Sequence, residues 1–385
     1  MTHILHLTTW HPHVDGVAGS FVVEQCAALE ALGTRIGLIF SRVEGLSALS
    51  ADRFLRGLPG FVHARSPVPT IGFKSWNIPG ARRYVRHFNQ KMLMQLYNCY
   101  VARHGAPDIL HGHVALETGI AALTLAKMHN IPYVLTEHSS EIMTKTLSPS
   151  DRNVAHSAYA NARTVIAVSD PLAERIRAIA PEANVMVVGN LVREKVFELR
   201  RFTSASDPVI QIVSVSSLVE GKRIRNAIDA IAALPVELRR FVRYHIVGEG
   251  PDRKALEVQA GLAELNVTFH GALPHDDAMQ ILAAADLLLH PSAHETFGIV
   301  LVEAMAVGLP VIATRCGGPE SIVTNDTGIL VPVDDINALT RAIQAIVVDI
   351  GNWRSKSAQI SEYSRSNFHE KAVAEKIIRG VYDLQ

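Results

Sequence analysis

The sequence predicts an α/β protein built from two doubly wound, parallel-sheet domains that face a cleft. Three observations carry this. Short apolar runs alternate with helical periods along nearly the whole chain. The runs are continuous rather than alternating, as in strands buried on both faces with helical crossovers between them. The pattern also restarts near residue 210, and 385 residues suit two domains of ordinary size.

In chain order, the predicted strands of the first half are 4–7, 35–40, 109–111, 133–136, 164–168 and 185–188. Those of the second half are 210–215, 244–247, 267–270, 287–290 and 311–313. Helical periods fall at 20–32, 116–129, 171–180, 299–307 and 370–382. The polar, basic stretch 194–207 lacks an apolar period and reads as the interdomain linker. The expected domains are therefore 1–200, 201–365 and a C-terminal helix, 366–385, with a return to the first domain as one option. In such folds ligands bind at the C-terminal ends of the strands.

Composition narrows the function classes. With 48% hydrophobic and 19% charged residues, each half can bury a core. Lys plus Arg and Asp plus Glu are both 37, so the formal charge is zero and the basic excess of a nucleic-acid binder is missing. The 3 cysteines, Cys26, Cys99 and Cys316, have neither disulfide-framework nor metal-ligand spacing, which fits a reducing compartment. No signal peptide and no membrane-length apolar run is read. The expectation is a cytoplasmic protein, at most peripheral at the inner membrane face.

The most informative stretch is LLLHPSAHETFGIVLVEAMAVGLPVIAT at 287–314, a strand, loop, helix and strand. Its loop brings backbone N–H groups to a helix N-terminus, where unpaired donors and the helix dipole favour anions. Glu295 lies in the loop, and Glu303 follows about two turns later. Two carboxylates beside an anion site need other partners, and sugar hydroxyls can supply them. The plain alternative is a capping Glu295 and a solvated Glu303.

This string resembles the signature of retaining glycosyltransferases of family 4, the glycosyl transferases of group 1, which have the GT-B fold. The resemblance implies that Glu295 contacts the transferred sugar. It implies that backbone N–H groups of Thr296, Phe297 and Gly298 face sugar and phosphate, and that Glu303 binds the ribose. HIVGEGP at 245–251 resembles the family's nucleotide-base loop, with Gly248 and Gly250, and VTFHG at 267–271 resembles the next loop, ending at Gly271. A tight turn explains either loop equally well on its own. Lys222 matches the lysine of the diphosphate clamp, whereas Ser217 stands where the family has an arginine. A hydroxyl cannot replace that charge, and Arg223 or Arg225 is the nearest substitute.

In the first half, TWHPHVDGVAG at 9–19 is the loop after the first strand, where glycine permits close approach to a phosphate. Gly19 is the first choice and Gly16 the second, against a plain helix start. By resemblance His138, after IPYVLTE, lies near the transferred sugar, and His113 holds a similar strand-end position. A satisfied structural histidine is the alternative at each. Residues 81–103 carry five basic residues and no acid, with Tyr84, Phe88, Met92, Leu96 and Tyr100 at a helical interval. They read either as a peripheral membrane contact or as a packed helix with a solvated basic face.

The resemblance thus implies a metal-independent, retaining transferase that moves a sugar from a nucleoside diphosphate sugar, with uridine diphosphate as carrier, to a hydroxyl. A glycan or lipid-linked polysaccharide precursor is the expected acceptor. No separate cofactor and no nucleic-acid partner is expected. Glu295, His138 and Lys222 are the catalytic candidates. The rivals are an epimerase or hydrolase of the same fold, a non-catalytic sugar-nucleotide-binding module, and a metal hydrolase using His11 and His13. The last predicts neither the 287–314 string nor the restart at 210.

Overall fold

The computed structural model describes residues 1–11, 19–44, 60–65, 67–76, 82–144, 146–199 and 209–384. Gly16 and His13 lie outside them. The chain divides into two compact units: Met1–Asn190 with Val373–Gln385, and Leu191–Ala372.

The first unit holds an eight-stranded sheet. Its strands are β1 (His3–Thr8), β2 (Arg35–Glu44), β3 (Gly60–Ala64), β4 (Thr70–Trp76), β5 (Ile109–His113), β6 (Tyr133–Glu137), β7 (Thr164–Ala167) and β8 (Val185–Val187). Their order is β3-β4-β2-β1-β5-β6-β7-β8, parallel except for β3 against β4. Every residue of β1, β5, β6 and β7 is buried, so these strands are covered on both faces, polar side chains such as His6 and His111 included. The second unit holds a six-stranded parallel sheet: β9 (Ile210–Val215), β10 (Val242–Val247), β11 (Val267–Gly271), β12 (Leu287–His290), β13 (Val311–Thr314) and β14 (Gly328–Val331). Its order is β11-β10-β9-β12-β13-β14. The strand order reverses between β1 and β5 in one unit and between β9 and β12 in the other, and these switch points are where doubly wound sheets bind ligands.

Three strands were not expected. In β4 the pattern alternates and Gly72 presses against the Phe40 ring, so the signature of a buried strand is absent. The antiparallel β3 is mostly exposed, and β14 has only four residues and begins at a glycine. The segment read as a linker opens instead with a helix, Glu194–Glu198, whose Val196 and Phe197 are buried; only 200–207 of it lies outside the described residues. The expected helix 116–129 is two pieces, a π turn at Ala115–Gly119 and an α-helix at Ile120–His129.

The helix Arg82–His104 packs on the sheet of its own unit. Leu93, Leu96, Tyr97 and Tyr100 lie in the core cluster with Leu5, Leu7, Ile39 and Ile71, whereas Tyr84 in its first turn is exposed. Arg86 is not a solvated charge: its guanidinium meets Glu117, Glu141 and Asp151 at 3.5, 3.2 and 2.7 Å. Among the described residues no helix is long and apolar enough to cross a membrane.

Candidate active site

In the second unit, the loop after β12 and the loop after β13 join like a short ladder. The N–H of Glu295 donates to Cys316 O at 3.1 Å, and the N–H of Gly318 donates to Glu295 O at 2.7 Å. A Cβ on Gly318 would sit 2.4 Å from Phe297 Cα, so the second loop needs a glycine there. Gly298, at φ 94°, ends the ladder and opens the helix Ile299–Ala306, every residue of which after Ile299 is buried. The donors of Thr296, Phe297 and Gly298 thus precede a helix N-terminus, as the sequence suggested.

Glu295 carries its carboxylate to Lys222 Nζ, 2.8 Å from Oε2, with His290 Nε2 3.5 Å from the same oxygen. Burial alone would raise this carboxyl. The neighbouring His290 and the Lys222 charge outweigh it and hold the group down to about 2. Lys222 closes a short 3₁₀ turn, Glu220–Lys222, in the loop after β9. Ser217 is exposed in that loop. Arg223 does not stand in for the missing arginine, because its Nε binds Asp334 Oδ1 at 3.0 Å; Arg225 is exposed.

Glu303 is buried, and His275 Nε2 lies 2.7 Å from its Oε1. Arg193 Nη2 lies 3.1 Å from His275 Nδ1, with Asp276 Oδ1 3.5 Å from the same nitrogen. His275 escaped the sequence reading. Its only signal is its position in the first turn of a helix after Pro274. Gly248, at φ 141°, lets the loop after β10 approach the loop after β9: an added Cβ would be 1.8 Å from Ser216 O. Gly271 ends β11 at φ 74° and its carbonyl accepts the N–H of Gly248 at 2.8 Å. Gly250 lies against Leu218 O in the same way. Near these loops, Ser216 Oγ and Ser292 Oγ are buried without a hydrogen-bond partner among the described residues.

In the first unit, Gly19 is the N-cap of the helix Ser20–Ala31 at φ 87°, with Trp10 O 2.7 Å from where a Cβ would stand. His11 stacks on Phe40 at 3.9 Å between ring centres. His138 follows β6, is 6% exposed, and lies beside Phe21 and Trp10, at 4.6 and 6.3 Å between ring centres. Its backbone N–H, with those of Ser139 and Ala115 and the hydroxyl of Tyr159, donates to Glu137, a fully buried carboxylate. Burial pushes that carboxyl up, against the four hydrogen bonds. At the end of β5, Val114 adopts φ 70°, a strained conformation for a β-branched residue, and its N–H is held by Thr136 O at 2.8 Å.

Residues 195–367 match the family described as glycosyl transferases group 1, and residues 16–190 match the glycosyl transferase 4-like domain. The chain is 30% identical over 290 residues to N-acetyl-alpha-D-glucosaminyl L-malate synthase of Bacillus anthracis, covering 72% of this chain and 74% of that one. Sucrose-phosphate synthase from Thermosynechococcus elongatus superposes with a TM-score of 0.78 at 21% identity, over 100% of this chain and 99% of that one. Anabaena HepE, solved in complex with UDP and glucose, superposes with a TM-score of 0.71 at 19% identity over the whole of both chains. At these identities the two likenesses speak for the fold.

Proposed function

Because the chain belongs to the glycosyl transferases of group 1, and is a glycosyltransferase, we propose that it moves a sugar from UDP to an acceptor hydroxyl with retention at the anomeric carbon. The observation that carries this reading is the ion pair of Glu295 and Lys222, at the switch point of the second sheet and one short helix away from the buried Glu303. Glu303 holds the ribose hydroxyls through its carboxylate. The N–H groups from Thr296 to Gly298 and the Lys222 ammonium stabilise charge on the departing diphosphate. Glu295, held ionised, accepts hydrogen bonds from the sugar, and His138 of the first unit orients it. Gly19 lets the first loop approach the donor, and Gly248 and Gly271 do so for the base.

The bond from the anomeric carbon to the phosphate oxygen breaks, and the acceptor oxygen bonds to that carbon on the same face. The acceptor's proton passes to the leaving phosphate, so no separate base and no metal is required. The complex of HepE with UDP supports the choice of carrier. The acceptor we propose is a glycan or a lipid-linked polysaccharide precursor. The name of the Bacillus anthracis relative brings L-malate, a small hydroxy acid, into the acceptor screen. The three cysteines are free, which supports a reducing, cytoplasmic setting.

Calorimetric titration with UDP, GDP and ADP, without added metal, tests the reading. Micromolar binding of UDP, lost in Glu303→Ala, is the expected result. Binding of GDP or ADP instead would replace the carrier, and binding of none would remove the donor site.

A further inference from the structure

Four histidines of the first unit line up inside its sheet. Parallel register sets His6 of β1 opposite His111 of β5, and His113 of β5 opposite Thr136 of β6. The two-residue period puts His111 and His113 on one face of β5. The rings follow one another: His6 is tilted against His111 at 4.5 Å, and His111 stacks on His113 at 4.7 Å and His113 on His138 at 5.5 Å. Tyr382, from the C-terminal end of the chain, enters the same column. All six groups are buried.

Their hydrogen bonds form one unbranched path. Thr136 Oγ1 meets His111 Nε2 at 2.6 Å, and His111 Nδ1 meets the Tyr382 hydroxyl at 2.6 Å. That hydroxyl lies 3.4 Å from His6 Nε2, His6 Nδ1 lies 3.0 Å from His113 Nε2, and His113 Nδ1 lies 3.3 Å from His138 Nε2. Beyond it, His138 Nδ1 is buried without a partner among the described residues. Burial holds all four imidazoles well below the ordinary histidine value, His6 and His138 at about 3, so each is neutral and carries one N–H.

An unbranched path of neutral imidazoles can point only two ways. If every N–H pointed toward Thr136, that hydroxyl would accept from His111, and its own proton would have no acceptor among the described residues. If Thr136 donates to His111 Nε2, then His111 Nδ1–H donates to Tyr382, Tyr382 to His6 Nε2, His6 Nδ1–H to His113 Nε2, and His113 Nδ1–H to His138 Nε2. Each interior group is then satisfied, and the one unused donor is His138 Nδ1–H. Either direction leaves one buried donor unused, the Thr136 hydroxyl inside the sheet or His138 Nδ1–H at the end of β6. The second direction places that donor on the residue proposed to orient the sugar, where a ligand oxygen can accept it, and that favours the second direction. His6, His111 and His113 also bring nitrogens within 4.8 Å of one another, the spacing of a metal-ligand set. Both nitrogens of His111 are already engaged at 2.6 Å, which favours hydrogen bonding over metal ligation.

We propose that Thr136, His111, Tyr382, His6 and His113 are positioning residues that hold His138 as its Nδ1–H tautomer, ready to donate to an oxygen of the transferred sugar. The role toward sugar and the choice between the two directions rest on the function proposed above; the tautomer itself is measured independently of it. The test is nitrogen NMR of the full-length protein with ¹⁵N-labelled histidine, the His138 signals being identified by their loss in His138→Asn. Wild type should show a protonated Nδ1 and an unprotonated Nε2 for His138. Thr136→Val should give a mixture of both tautomers, and Thr136→Ser, which restores the hydroxyl, a single Nδ1–H form. Tyr382→Phe should also give a mixture. In Thr136→Val, kcat should fall several-fold with little change in UDP affinity. A wild-type Nε2–H tautomer, an unchanged tautomer in Thr136→Val, or stoichiometric uptake of zinc with loss of the column's N–H signals would overturn the proposal. Failure of wild type to bind any nucleotide would remove the sugar role and leave the tautomer result standing.

Discussion

Glu295 and Lys222 form a pair in which neither side chain is more than a quarter exposed. The pairing has a consequence for stability. The Glu295 carboxyl is lowered from an ordinary 4.5 to about 2 in the folded chain. A group lowered by folding contributes stability above its unfolded value and loses it as pH falls through its folded value. At 1.36 kcal/mol per tenfold change, the interval is worth roughly 3 kcal/mol. Denaturant unfolding at pH 7, 4 and 2.5 should therefore show the difference between wild type and Glu295→Gln shrinking by most of that amount, chiefly below pH 4.5. A constant difference across this range would mean that the carboxylate is not held by its neighbours. The same substitution should lower turnover more than UDP affinity, since the proposed contact of Glu295 is with sugar rather than nucleotide. Equal loss of both would move Glu295 from the sugar to the nucleotide.

Strand-end loops determine how closely the elements of the second unit approach one another, and two glycines there meet different obstacles. At Gly298 an added Cβ would be 2.9 Å from the end of the flexible Leu301 side chain. At Gly248 it would be 1.8 Å from a backbone carbonyl, which cannot swing aside. Both residues have positive φ. Gly298→Ala should cost about 1–2 kcal/mol from backbone strain, and Gly248→Ala clearly more, at least about 3 kcal/mol. Urea midpoints of the two variants check the order, and the reverse order would contradict the loop packing. The stretch from β12 to β13 was legible because strand, loop and helix are contiguous there and each residue's period is unbroken. β4 was not, because a glycine and alternating polarity hide it. His275 was not, because its partner Glu303 is 28 residues away. The histidine column was beyond sequence reading for the same reason on a larger scale: residues 6, 111, 113, 136, 138 and 382 meet only through the order β1-β5-β6 and the placement of Tyr382.

At the scale of the whole chain, the proposed roles divide between two units, each with its own sheet and core. Nucleotide contacts fall to Glu303, Gly248 and Gly271 of the second unit, and sugar orientation to His138 of the first. Such a division predicts separable effects on ligand-linked stability. A ligand bound only by the folded protein stabilises it by about 2.7 kcal/mol at a hundredfold excess over Kd. UDP at that concentration should raise the stability of wild type by this amount, and the gain should vanish in Glu303→Ala. His138→Ala should keep nearly the full gain with UDP, because the nucleotide alone carries no sugar for the histidine to hold, yet it should lose most of its turnover with the complete donor. Thermal denaturation with and without UDP, beside a turnover assay on the same preparations, reads both quantities. If His138→Ala abolished the UDP-linked gain, the histidine would belong to nucleotide binding, and the proposed division of roles between the units would fail.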